Sequence, residues 1–500
     1  MGKNIRQASL YTIIGKLISK ILGLIRERLT KTLFGLSAEM SIYSFIITLI
    51  GLIRSISIRS FTKTTIPYFL TNKKDKHITS SIYTVVVGLN LIIGIIIIIF
   101  SRTLARYTLG KLVYSDSLLV FGTYMYIMAG ILLIVLSIAD ISEALMSSIR
   151  IFEYQIIREP FVNTLYILSL IALPSTFTLL GGRILGELMF MLAILSFILL
   201  KKPVLLATPK FQYIKNLLLI TIPIILGTSI NFINTFVDRY MATLLSDTRS
   251  VSALASATTL AILPYSLFGE SISKSVYTGF SESASNKDFR LFSEYVGKVI
   301  YLGGWLIIPS SVGLATLSSN ITYFLYFGGK FTMSDVNLVG TSLTFYSFRY
   351  LFTALYIPLN NALIALEKRY IPMWLAIIFI PINILLNWLL GFKLHMGAPG
   401  FALATAIVSI SMFMATLILL TRIPQITVPK TYLLKTLKVI VASIIMATLL
   451  LTCKHYLPLG RTYTILLIMI GIMIHVTLLF LLKDEEMMKL ITKLQRRINL

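Results

Sequence analysis

The chain reads as an all-α polytopic membrane protein of about fourteen transmembrane helices: two six-helix lobes in parallel repeat, plus two C-terminal helices. Three observations predict this class. Of 500 residues, 56% are hydrophobic and only 13% charged, about half the charged share of a soluble domain, and mean hydropathy is +0.86. Apolar stretches of roughly twenty residues, the length that crosses a hydrocarbon core, recur throughout. A constant offset of 211 residues aligns the first part of the chain with the second.

The expected spans are 8–33, 40–60, 81–101, 117–142, 160–180, 184–201, 216–237, 251–273, 295–318, 337–358, 371–392, 397–421, 433–453 and 462–482. Runs such as IIGIIIIIF at 92–100 are too continuous for half-buried strands, and an outer-membrane barrel would alternate over roughly ten-residue segments. No small-residue cleavage site follows the apolar stretch before Arg26-Glu27-Arg28, so this stretch is read as a retained first helix rather than a signal peptide. The tail KDEEMMKLITKLQRRINL, residues 483–500, has apolar residues at helical spacing and is expected to lie along the interface. Short connections leave no room for an inserted soluble domain.

The formal charge is +25. Nucleic acid is one explanation for such a balance, but in a polytopic membrane protein basic cytoplasmic loops explain it better, and no nucleic-acid partner is expected. With an even number of spans, one set of loops and both termini hold 27 Lys and Arg, and the opposite loops hold 10. Both termini are therefore expected in the cytoplasm and Lys330 outside. Cys453 is the single cysteine, and His77, His395, His455 and His475 lie far apart. No disulfide framework, metal site or cofactor is expected.

At the 211 offset, Glu27-Arg28 falls on Asp238-Arg239. Ser60, Thr62, Lys63, Thr64, Phe69 and Lys76 fall on Ser271, Ser273, Lys274, Ser275, Phe280 and Lys287. The expected domains are 1–212 (helices 1–6), 213–422 (helices 7–12), and 423–500 (helices 13 and 14 with the tail). Six helices per lobe give both lobes the same orientation, the parallel kind of repeat found in transporters.

Ionisable residues within spans are costly and usually face a cavity or a partner. Helix 1 carries Lys16, Lys20, Arg26, Glu27 and Arg28; helix 2 carries Arg54 and Arg59. Lys16 and Lys20 share a helix face, and Arg26 lies about 80° off it. This cationic cluster reads either as an anion site, since guanidinium forks suit a phosphate or diphosphate, or as residues near helix ends that snorkel to the interface. The corresponding second-lobe helices carry Asp238, Arg239 and Glu270, a more balanced set. Asp140 and Glu143, three apart on helix 4, read as a proton or cation site, or as capping or base-pairing groups. Glu187, Arg349 and His475 read as bundle-facing pairs. Asn231 and Asn234 are expected to hydrogen-bond between helices, and Pro264 and Pro309 to kink theirs. Gly328-Gly329-Lys330 lacks the spacing of a phosphate loop.

Three segments resemble the MurJ/MviN lipid II flippases, a family within the multidrug/oligosaccharidyl-lipid/polysaccharide exporter superfamily. They are SKILGLIRERLTKTLFG (19–35), Leu52-Ile53-Arg54, and YFGGKFTMSD (326–335), which is expected between helices 9 and 10. The resemblance covers about 8–420 and also implies fourteen helices. It implies a substrate-binding role for Lys20, Arg26, Glu27 and Arg54; the nearby or corresponding charges Arg28, Arg59, Glu39, Asp238, Arg239 and Glu270 are further candidates. The chain departs from the family pattern at three places. The acid after the FG pair falls near Ser41, with Glu39 close by; the E-G pair after helix 2 becomes Arg59-Ser60; and the helix 8 arginine becomes Thr259, ahead of Pro264.

The implied function is translocation of a polyprenyl-diphosphate-linked sugar, lipid II first, by alternating access between lobes, with the lipid tail along helices 13 and 14. The expected partners are that substrate and membrane lipids, and a monomer is expected. Other lipid-linked oligosaccharide exporters and a drug/cation antiporter are the rivals among transporters, although the antiporter would want an acidic first lobe. A membrane glycosyltransferase would want a large outer loop with catalytic acids or histidines, and no outer loop expected here exceeds about twenty residues.

Overall fold

The computed structural model describes residues 5–62, 76–148, 151, 153–201, 208, 210–368 and 370–498. The loop cations Lys3, Lys63, Lys73, Lys74, Arg150, Lys202 and Arg369, the match of Lys63 to Lys274, and the side chains of Asn231 and Glu270 lie outside that set.

The described residues form eighteen α-helices and no strand; one isolated bridge joins Gly328 to Phe331. They are α1 Ile5–Phe34, α2 Ala38–Arg54, α3 Lys76–Ile99, α4 Ser101–Thr108, α5 Asp116–Ser148, α6 Glu153–Ala172, α7 Thr178–Lys201, α8 Phe211–Thr243 and α9 Ser250–Ala261. There follow α10 Glu270–Ser285, α11 Phe289–Thr316, α12 Ser318–Tyr326, α13 Met333–Ala365, α14 Tyr370–Asn387, α15 Ala398–Thr421, α16 Lys430–Tyr456, α17 Arg461–Leu481 and α18 Glu485–Ile498. Each expected span coincides with helix. Nine described helices are long and apolar enough to cross a membrane, or ten if the bent pair 250–261 and 265–285 counts as one. The helices at the expected spans 8–33, 160–180, 216–237 and 337–358 are not among those nine.

The order of elements occurs twice. In both halves a long helix is followed by a shorter one that ends in a π-helical turn, Ser55–Arg59 after α2 and Tyr265–Gly269 after α9. A long helix then leads to a short one, α4 of 8 residues or α12 of 9. Next come two 33-residue helices, α5 and α13, and after α6 or α14 two 24-residue helices, α7 and α15. Ser41 and Ser252, 211 apart, are hydrogen-bonded to each other at 3.1 Å.

Two compact units are present. One comprises Met1–Ser252 with Gly328–Phe331; the other comprises Ala253–Phe327 with Thr332–Leu500. The first unit runs past the boundary expected at 212, because α8 packs against α2 and α3. Within this unit α5 is central, packing on α2, α3, α4 and α7, while α1 packs on α6. Within the second unit α13 packs on α11 and α15, and α16 on α11 and α17.

Some helix bounds differ from the expectation for local reasons. Pro160 was expected to open its span, but α6 begins at Glu153 and carries Pro160 inside it. It ends at Ala172 rather than 180, because Leu173 precedes Pro174, and the residue before proline is driven out of the α region. Pro264 sits in the break between α9 and the π turn, where the axis bends by 45°, as expected. Outward faces remain apolar: Ile92, Ile95, Ile96 and Ile99 on α3, and Ile465, Leu466, Met469, Ile472 and Met473 on α17, are all exposed, which suits lipid as the solvent.

The tail forms α18 as expected. Its N-terminal Asp484 is 1% exposed. It accepts hydrogen bonds from Tyr301 Oη (2.9 Å) and Trp305 Nε1 (3.0 Å), and caps Met487 N at 3.2 Å. Two of the shared segments also meet. Lys330 N donates to Thr32 O at 2.9 Å, at the end of α1. A Cβ on Gly329 would lie 2.2 Å from Thr32 O, and φ there is +56°, so this approach requires glycine.

Candidate functional site

The first unit concentrates charge where four helices meet, and α6 is its hub. Along one face, residues 159, 163 and 166 recur at helical spacing. Ser19 Oγ of α1 donates to Glu159 at 2.5 Å. Arg26 Nη1 donates to Asn163 Oδ1 at 2.9 Å, and its guanidinium lies over the Tyr166 ring at 5.3 Å. Tyr166 and Tyr43 share a hydrogen bond at 3.0 Å. Arg26 is thus a half-buried side chain held by an amide and an aromatic face.

The adjacent residue, Arg158, organises a second cluster. Its Nε and Nη2 donate to Glu187 Oε2 at 3.0 and 2.8 Å. Its Nη1 donates to Asp140 Oδ1 at 2.5 Å and Glu143 Oε2 at 2.8 Å. Asp140 also receives Arg54 in a side-on fork, Nε to Oδ2 at 2.7 Å and Nη2 to Oδ1 at 2.6 Å. Arg54 side-chain exposure is 15%, against 8% for Arg158. Two guanidiniums therefore face three carboxylates. Below this cluster α2 passes into its π turn, a form of helix that marks functional sites frequently. Ser57 Oγ of that turn donates to Asn90 Oδ1 at 2.6 Å.

The remaining candidates scatter. Lys20 is half-buried on α1, within electrostatic reach of Glu159. Glu27 faces the buried Lys31 one turn on, at 3.7 Å. Glu39 sits in the first turn of α2, where a carboxylate suits the positive end of the helix. Arg28 is exposed. So is Arg59, which stacks on Phe232 at 5.5 Å. Asp238 and Arg239 are buried on α8, and Arg239 Nη1 donates to Thr48 Oγ1 at 3.3 Å.

The sequence reading described the first-lobe cluster as cationic; the structure corrects this. Carboxylates from α5, α6 and α7 compensate it, because helices distant in sequence bring Asp140, Glu143, Glu159 and Glu187 to the same place. The 27-to-10 loop count includes Arg158 on one side and Arg239, just past the expected span 216–237, on the other. Both are buried within helices, and removing them leaves the bias between loops standing. Asp140 and Glu143 pair with bases, as one of the two readings of them held, and Glu187 is a paired, bundle-facing group. Sequence reasoning missed Arg158, Glu159, Asn163 and Tyr166. Their helical spacing in an otherwise apolar segment was the available signal, obscured by treating Pro160 as the start of the helix.

The family model described as lipid II flippase MurJ matches residues 30–491. The probable lipid II flippase MurJ of Thermotoga maritima is 29% identical over 265 residues; that alignment covers 53% of this chain and about half, 52%, of that protein. The protein so described from Buchnera aphidicola subsp. Acyrthosiphon pisum is 25% identical over 456 residues, 88% of each chain. Among solved structures, lipid II flippase MurJ in an inward closed conformation superposes with a TM-score of 0.78 at 22% identity, covering 95% of this chain and 99% of that one. An inward-facing multidrug resistance MATE family transporter of the MOP superfamily gives a TM-score of 0.62 at 13% identity, covering 82% and 93%.

Proposed function

The chain belongs to the lipid II flippase MurJ family, and on that premise we propose that it carries a polyprenyl-diphosphate-linked sugar, lipid II first, across the cytoplasmic membrane by alternating access. It is a transporter, not an enzyme, so its residues need only bind, orient and release. Arg26 and Arg54 are the headgroup ligands in this reading, with Lys20 and Glu27 beside them on α1. Both termini lie in the cytoplasm, and helices 1–6 and 7–12 are the two lobes.

The observation that carries the site assignment is an asymmetry in the repeat. At the 211 offset Arg26 and Arg54 correspond to Val237 and Tyr265, so the repeated architecture does not require these charges. Each guanidinium is nevertheless placed among polar partners from α5 or α6. An arginine fork grips two oxygens of a phosphate group, which lysine, a point charge, cannot do.

The experiment is replacement. This chain, expressed in a bacterium depleted of its essential lipid II flippase, should restore growth. Arg26→Ala and Arg54→Ala should each abolish rescue, and the Lys variants should impair it, at unchanged membrane abundance. Rescue at the normal rate by both Ala variants would remove the arginines from the binding site.

A further inference from the structure

We propose that Asp140 is a positioning residue for headgroup recognition: it holds Arg54 by one edge of the guanidinium and presents the other edge to the diphosphate. This rests on the reading of Arg54 as a headgroup ligand. A guanidinium has five N–H donors, arranged as a side edge (Nε and Nη2) and an end edge (Nη1 and Nη2). Asp140 occupies the side edge alone, at 2.7 and 2.6 Å. On the end edge, which matches two oxygens of a phosphate group, Nη1 and the second N–H of Nη2 take no part in that pair.

Arg158 supplies the contrast. Its Nε, Nη1 and Nη2 are all committed, to Glu187, Asp140 and Glu143, so it has no edge to offer and serves to fix the acids. It also pins Asp140, whose Oδ1 accepts from both arginines. The carboxylate plane, and through it the plane of Arg54, is set from behind. An arginine oriented before the ligand arrives loses less rotamer entropy on binding. The pair also offsets the cost of a guanidinium among apolar helices while no substrate is present.

The test is binding of a short-chain, water-soluble prenyl-diphosphate-linked disaccharide to the purified full chain in detergent, with thermal stability measured in parallel. Arg54→Ala should weaken binding; if it does not, the assignment of Arg54 fails, and this inference with it. If it does, Asp140→Asn decides the inference. The expected result is a loss of about tenfold to a hundredfold that vanishes in the Arg54→Ala background. Glu187→Gln loosens Arg158, which reaches Arg54 only through Asp140, and should weaken binding by clearly less than Asp140→Asn does. Unchanged or tighter binding by Asp140→Asn would overturn the inference, tighter binding making Asp140 a competitor for the fork. An equal loss from Glu187→Gln, or an equal loss without Arg54, would also overturn it by making the role structural. If Asp140→Asn does not fold, Asp140→Glu keeps the charge but displaces the carboxylate by one methylene, and the same outcomes apply to it.

Discussion

Removing Arg158 should be among the most damaging single changes in the first unit. Arg158→Met keeps much of the volume but deletes four charge-assisted contacts, to Glu187 twice, Asp140 and Glu143. Three carboxylates would then face Arg54 alone, leaving two without a counter-ion. Breaking a buried ion pair from one side costs about 3–5 kcal/mol. Protonation of the orphaned acids limits that cost: holding an ordinary glutamate neutral at pH 7 takes about 3.7 kcal/mol, from 1.36 kcal/mol per unit of pKa. The two figures agree, and for a unit of this size they correspond to a melting shift of roughly 10 °C. The measurement is the fraction remaining monodisperse by size exclusion after heating. Tryptophan fluorescence would not serve, because Trp305, Trp374 and Trp388 all lie in the second unit. Adding Glu187→Gln should restore part of the loss, as should lower pH. A shift under about 2 °C would refute the argument and show the cluster to be solvated well enough that its pairing contributes little.

Further predictions concern the turn at 328–331, the topology and the tail. Gly329→Val should destabilise by more than about 2 kcal/mol, since it combines a positive φ with a collision at Thr32 O; a melting temperature equal to the parent's would refute this. A single cysteine at 330 in a Cys453→Ala background should react with an impermeant thiol reagent from outside whole cells, and labelling from the inside alone would overturn the orientation. Lys435 and then Lys489 donate to Glu485 and hold its carboxyl down at about 2, from an ordinary 4.5. A lowered folded pKa gives stability above the ordinary value that is lost as pH falls through the lowered one. Docking of α18 should therefore weaken between pH 4.5 and 2, read as protease cleavage near Lys483. The effect should be small, because these groups are largely exposed, and Glu485→Gln should abolish the pH dependence.

Much of the helical content was legible because hydropathy and helix length are local properties. The constant 211 offset was legible as well, since it lies in the polar residues that flank helices 1 and 2. The motif at 326–335 was visible as a string of residues, but its contact with the end of α1 was not. The candidate site was half legible. Arg26 and Arg54 stood out as charges inside apolar segments, a signal that hydropathy amplifies. Arg158 and Glu159 did not, because Pro160 drew the helix boundary to the wrong side of them.

The sequence by itself determined the solvent this protein folds in, its helical segments, and the positions of the unusual charges. Those follow from composition and short-range pattern, on which desolvation acts directly. Only the tertiary structure decided the charge balance. Asp140 lies 86 positions from Arg54 and Asn163 lies 137 from Arg26, and no periodicity links residues so far apart. Helix packing alone brings their donors and acceptors within 3 Å, and Coulomb energy at that range settles which edge of Arg54 is occupied by Asp140.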